Sequence, residues 1–210
     1  MRSTFLHLLA GLTLVSGSVQ ADNFCGDLAN GYGPFDHRKR DELQAEFKLV
    51  ESAHFTKSVE QGTKGNTGRV AADLDYTLRA IPNHPRALDS MARVALKEKS
   101  VHLTGARYPV ACYFERASRF APDDGAVHAV YGNYLFALGR RDEALKMFAS
   151  AVVLLPDDPT INYNAALAYF NAKNYKLANK HAQKAYSLGF PLPGLKNKLL
   201  QAGKWNTKVE

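Results

Sequence analysis

The sequence predicts an all-α fold, a solenoid of helix-turn-helix units, and three observations carry that expectation. Residues 125–158 and 159–192 align at a period of 34: Ala144 meets Ala178, Ala151 meets Ala185, and Asn133 and Leu135 share slots with Leu167 and Tyr169. A fixed period of this length marks a repeat architecture. Within a unit the apolar spacing is helical twice over. Val127, Tyr131, Tyr134 and Leu138 step by four, three and four, and Ala144, Phe148, Ala151 and Leu155 repeat the same steps, the signature of two helices each burying one face. The breakers fall between these runs, Gly139 inside the unit and Pro156-Asp157-Asp158-Pro159 between units.

The elements follow in chain order. Residues 1–21, "MRSTFLHLLAGLTLVSGSVQA", have the form of an export signal: Arg2, an apolar run over 5–15 too short for a membrane helix, and a small-x-small exit at Val19-Gln20-Ala21. Cys25 comes too late after such a cut to carry a lipid anchor. Export places the mature chain outside the cytoplasm, in the periplasm of a Gram-negative bacterium. Residues 22–39 form an N-terminal extended segment. Residues 40–124 hold degenerate units: helices over 40–55 and 70–85 across the glycine-rich loop "GTKGNTG" (62–68), read as a flexible link, then helices over 85–98 and 113–124 across a long connection. Two clear repeats occupy 125–158 and 159–192, with Asp158 as helix cap and Pro159 in the first turn. Residues 193–210, with "PGLKNKLLQAGKW", supply a capping helix and tail over the last apolar face, as a stack of repeats requires.

These positions resemble the tetratricopeptide repeat, a 34-residue helix-turn-helix unit. Its small eighth residue matches Gly132 and Ala166, its large eleventh Leu135 and Tyr169, and its twentieth Ala144 and Ala178. Phe148, Ala151, Ala185 and Pro156 fill later slots, and Ala117 and Pro122 do so in the degenerate unit upstream. Departures stand at His128 and Asn162 in the aromatic fourth slot, at Ala182 where Phe is usual, and at Phe190 in place of Pro. The expected fold is therefore two clear repeats, about two degenerate N-terminal ones and a C-terminal capping helix.

Composition narrows the function classes. The 210 residues are 46% apolar and 22% charged, the balance of a globular chain, with a net charge of +7. Lys and Arg are spread along the chain and "HRKR" (37–40) is the one true cluster, so the charge is first read as solvated helix faces; in an exported protein it does not imply nucleic acid. Catalytic and metal-binding patterns are missing from the sequence: no HExxH, CxxC, G-x-S-x-G or GK[ST] run occurs. The expectation is a non-enzyme without cofactor or metal. Cys25 and Cys112 form either a disulfide, which an oxidising compartment permits, or two unpaired thiols with Cys112 a small core residue.

The resemblance implies that the first helix of each unit lines a concave groove. Its candidate residues are Arg86, Asp89, Arg93 and Lys97, then Asn133, Phe136 and Ala137, then Tyr163, Asn164, Leu167, Phe170 and Asn171. Such a groove is basic at one end and aromatic and amide-lined at the other. Asn133 and Asn164 resemble the amide pair of the family's carboxylate clamps, but Ala129 stands where the clamp has lysine. The predicted function is a periplasmic protein–protein interaction module, an adaptor or assembly factor for an envelope complex that binds a peptide or protein segment. The alternative is a carrier of an anionic polymer or glycan bound through a basic surface.

Overall fold

A computed structural model describes residues 25–206, which form ten α-helices and no strand. The expected export signal lies outside the described residues. The helices are α1 (Gln44–His54), α2 (Lys57–Glu60), α3 (Val70–Ala80), α4 (Pro85–Glu98), α5 (Val110–Phe120), α6 (Gly125–Ala137), α7 (Arg141–Leu154), α8 (Pro159–Asn171), α9 (Tyr175–Ser187) and α10 (Gly194–Gln201). The pairs α6/α7 and α8/α9 fold back on themselves, α7 packs on α8, and the first helices α4, α6 and α8 form a row. The same order continues upstream, with α1 on α3, α3 on α4, α4 on α5 and α5 on α6. The chain is a solenoid of helix pairs closed by α10, which packs on α8 and α9.

The repeat's small residues explain how closely each pair packs. A Cβ on Gly132 of α6 would stand 3.1 Å from the Phe148 ring of α7, so no larger side chain fits there without a shift. Ala144, Ala151, Ala166, Ala178 and Ala185 are all fully buried at corresponding contacts. One core joins Leu74, Leu78, Leu88, Met91, Phe114 and Val127. A second joins Leu135, Phe148, Ala166, Ala178, Leu195 and Leu199. Tyr131 packs against both, so the stack has no break between its degenerate and its clear units. Each fully buried large side chain stabilises by about 1.5–3 kcal/mol.

Polar joints punctuate the stack where the breakers predict. The Asp124 carboxylate accepts hydrogen bonds from Ala126 N (3.0 Å) and Val127 N (3.3 Å), and that of Asp158 accepts from Ile161 N at 2.8 Å. These side chains satisfy donors that a helix start leaves unpaired. The fourth residue of each clear unit, where the sequence departs from the family pattern, ties the same joint. His128 Nε2 lies 2.9 Å from Pro122 O, and Asn162 Nδ2 donates to Pro156 O at 2.8 Å.

Three features depart from or extend the sequence reading. Thr56 to Gln61 bracket α2, a short helix that packs on α3 and α4. The glycine-rich loop is anchored rather than a flexible link: the buried Asp73 carboxylate accepts from Asn66 N (2.6 Å), Thr67 N (3.1 Å) and the Thr67 hydroxyl. Finally, Cys25 and Cys112 are joined as a disulfide across 87 residues of sequence. The extended segment that follows Cys25 crosses the second helices α5 and α3. Arg116 of α5, fully buried, donates from Nη1 to Cys25 O (3.1 Å) and to Asp27 O, and Arg119 donates to Gly26 O at 2.7 Å. Further on, Arg79 of α3 donates to Asn30 Oδ1, Phe35 N donates to Ala80 O, and Tyr32 and Phe35 pack beside Ala80 and Ile81.

Candidate ligand-binding groove

The row α4, α6, α8 carries every candidate groove residue, and the two ends of the row differ. At the α4 end the cations are largely spent within the chain. Arg86 donates from Nε to Glu60 at 2.6 Å and lies over the Phe55 ring; its hydrogen bond and ion pair with Glu60 hold its pKa above the usual guanidinium value. Arg93 donates to Asp89 at 2.7 Å and to the Glu60 carbonyl at 2.8 Å, and Ser90 Oγ donates to that same carbonyl. The end of α2 is thus seated on the face of α4 that the sequence reading left open. Lys97 is exposed and has no ion-pair partner among the described residues. The expected basic end keeps one free cation beside two compensated arginines.

The α6–α8 end keeps more of its groups available. Asn133, Ala137 and Asn171 are exposed, while Phe136, Tyr163, Asn164, Leu167 and Phe170 are half-buried. Phe136, Leu167 and Phe170 form the outer margin of the second core, which fixes their positions while leaving part of each ring or chain open. Phe170 meets Tyr175 edge-on at 5.6 Å. Asn171 Nδ2 donates to Leu167 O, its own helix, at 2.7 Å. The side-chain amides of Asn133 and Asn164 make no hydrogen bond among the described residues. Tyr163 is set apart from this group. Its ring stacks on Phe190 at 4.0 Å, and the start of α10 lies against it. The capping helix therefore covers one candidate while the others remain accessible.

The nearest approach to a catalytic constellation is His54 with Asp73 and Thr67. His54 Nδ1 lies 3.0 Å from Asp73 Oδ1, and the ring stacks on Tyr76 at 3.9 Å. The Thr67 hydroxyl, however, donates to the carboxylate rather than to the imidazole. Burial alone would raise the Asp73 carboxyl, but the bonds from Thr67, His54 and two backbone amides hold it below its ordinary value. The geometry is that of a loop anchor, with no activated nucleophile. No group of three or more metal-ligating side chains is assembled among the described residues.

Charge is distributed differently from the sequence reading. The "HRKR" cluster stays at the surface, but its arginines are compensated within the chain: Arg38 pairs with Asp36 (2.6 Å) and Asp123 (2.9 Å), and Arg40 pairs with Glu51. Cations and anions balance at nineteen each through Asp158, whereas eight lysines and one glutamate follow it, so the whole net charge of +7 belongs to the last repeat and cap. Counting charge by repeat unit instead of by cluster reveals this. A second opening, of about 720 Å³, lies on the opposite side of this same region, between the second helices α7 and α9.

No family model matches the chain. A curated relative, the heat shock protein sti1 homolog of Schizosaccharomyces pombe, is 31% identical over 132 residues, 61% of this chain. The chain spans about a fifth of that protein's length, the match covering 19% of it. Among solved structures, the chain titled "MamA MSR-1 C2" superimposes with a TM-score of 0.43 at 19% identity, over 67% of this chain and 72% of the other.

Proposed function

From the premise that this chain is a tetratricopeptide-repeat protein, we propose that it acts by binding, as a non-catalytic interaction module that takes a peptide or protein segment along its row of first helices. The observation that carries this reading is the pair of unpartnered amides, Asn133 and Asn164, set among the partly open side chains of Phe136, Leu167 and Phe170. Amides of this kind hydrogen-bond a main chain, and fixed apolar margins select side chains. The modest polar cost of an unpaired exposed amide suits a surface that waits for a ligand.

An exported, periplasmic adaptor or assembly factor is the setting we propose. The Cys25–Cys112 bond supports it, since such bonds persist in oxidising compartments. The groove residues proposed to contact the partner are Arg86, Asp89, Arg93, Lys97, Asn133, Phe136, Tyr163, Asn164, Leu167, Phe170 and Asn171, with the α6–α8 members dominant. A photo-crosslinker at the exposed Ala137 in the producing cell is expected to capture one dominant protein. Phe136→Ala with Phe170→Ala is expected to abolish that capture with the helical circular dichroism retained. Asn133→Ala with Asn164→Ala, both outside the core, is expected to weaken it about tenfold, the loss of one or two net hydrogen bonds. A uniform spread of unrelated proteins would sink the reading.

The anionic-polymer reading has one observation in its favour, the lysine excess after Asp158. Salt separates the two. Polymer binding falls steeply between low and physiological ionic strength, whereas groove binding depends on Phe136 and Phe170.

A further inference from the structure

We propose that the groove between α7 and α9 is a second docking site, on the face opposite the first-helix row, and that it takes an extended, acidic peptide segment of a partner protein. The inference goes beyond the reading above and does not depend on it.

The chain itself shows how this face is used. Between the second helices α3 and α5, the position is filled by the chain's own extended segment from Cys25 to Phe35. The residues of α5 that hold it are Cys112, by the disulfide, and Arg116 and Arg119, by hydrogen bonds to main-chain carbonyls. Two repeat periods downstream, 68 residues on, those positions are Lys180, Lys184 and Ser187. All three line the open groove. The register that grips the extended segment in the first half of the molecule therefore recurs in the second half, with lysines in place of the cysteine and the first arginine. Of the described chain only the tail at Asn206 reaches its margin, where the Asn206 carbonyl accepts from the Gln183 and Asn179 side chains.

The chemistry of the groove sets the occupant. Its apolar lining is Val152, Val153 and Pro156 on one side and Tyr169 at the floor. Val153 is 77% exposed, a large aliphatic side chain turned to solvent beside Leu154 and Leu155. Lys180 has no carboxylate partner among the described residues, and Lys184 meets only the exposed Asp157, at 2.6 Å. From 159 to 206 the chain holds seven lysines and no Asp or Glu. An apolar floor with a cationic rim fits a chain that alternates aliphatic and acidic residues. A glycan would leave the apolar lining unused, and a flat anionic membrane would not enter a concave groove of about 720 Å³. A second copy's N-terminal segment is already held in place by its own disulfide.

The test uses the full chain with its disulfide intact and a fluorescein-labelled peptide copying residues 25–35 with Cys25→Asp, which places a carboxylate at the Lys180 register. Fluorescence anisotropy is expected to show saturable binding at micromolar peptide. Lys180→Glu with Lys184→Glu, and separately Val153→Asp, should each weaken it at least tenfold. Phe136→Ala with Phe170→Ala should leave it within a factor of two, which separates this site from the first-helix row. A peptide with lysine at both acidic positions should bind at least tenfold more weakly. The proposal is overturned if no binding is seen up to millimolar peptide, or if the lysine peptide binds equally well. It is equally overturned if the Lys180/Lys184 variant binds unchanged, or if only anionic phosphatidylserine vesicles bind. Concentration-dependent dimerisation abolished by Val153→Asp, with no peptide binding, would assign the face to a second copy instead and refute the proposal.

Discussion

Around Glu51 the protonation of three side chains is decided by where they are seated. The fully buried His84 accepts the Ala87 N–H at Nδ1, so its proton sits on Nε2, 3.1 Å from Glu51. Burial lowers its pKa, and burial with the neighbouring His84 and Arg40 lowers that of His37 to about 4. Burial would raise Glu51, yet the hydrogen bonds from Arg40 and His84 and the charge of Arg40 hold it at about 2. Linkage gives the sign. The unfolded chain takes up protons on both histidines near their ordinary value of 6.5, while the folded chain resists, so stability is full above 6.5 and falls as the pH drops toward 4. Glu51 extends the loss from its ordinary 4.5 down toward 2. Urea midpoints measured from pH 7.5 to 4 are expected to fall monotonically, and His37→Phe to flatten that fall; a midpoint rising with acid would contradict the assignment. None of this was legible in the sequence, because Glu51 meets His84 only through the packing of α1 beside the start of α4, and His37 joins them only by the docking of the N-terminal segment.

After the first helices α4, α6 and α8 the chain turns at the fifteenth residue counted from the helix start, and the three share the same backbone there. Lys99, Gly139 and Lys173 all have positive φ, at 51°, 77° and 60°. Glycine accepts that conformation freely, whereas a side chain is strained by about 1 kcal/mol or more. Lys173→Gly is accordingly expected to raise stability by about 0.5–1 kcal/mol in denaturant unfolding, and Gly139→Lys to lower it by a similar amount. The close approach before the turn sets the opposite constraint: Gly132→Val should cost about 2 kcal/mol, because its side chain must displace the Phe148 ring. Here the sequence was informative. The period, the small residues and the Asp caps all follow from spacing that a single chain displays. The groove face came from the family resemblance rather than from the spacing itself, and the structure leaves its members Asn133, Phe136, Leu167 and Phe170 exposed or half-buried. What spacing could not reveal was Glu60, which takes Arg86 from 26 residues away, or the four-residue α2 that carries it, too short to show a period. Lys99 and Lys173 gave no sign of their left-handed turns, because lysine has no preference for them.

At the scale of the molecule, the stack is held by neighbour contacts along most of its length and by one covalent tie near its beginning. Closing a loop of 87 residues in the chain-entropy account stabilises by about 4–5 kcal/mol. Cys25→Ser with Cys112→Ser is expected to lose most of that in urea unfolding, and to release the carbonyls that Arg116 needs in its buried seat. A loss below about 1 kcal/mol would show that the segment stays docked by its other contacts alone. The tie also gives the solenoid a direction. Repeats that depend on their neighbours can fray from either end, but the first two units are stitched together through α5 and only the lysine-rich end is left loose. Amide hydrogen exchange should therefore slow progressively from α10 back toward α3, and cutting the disulfide should erase that gradient by opening a second front. Unravelling of the intact protein is then expected to run one way, beginning in the repeat where both proposed binding faces lie.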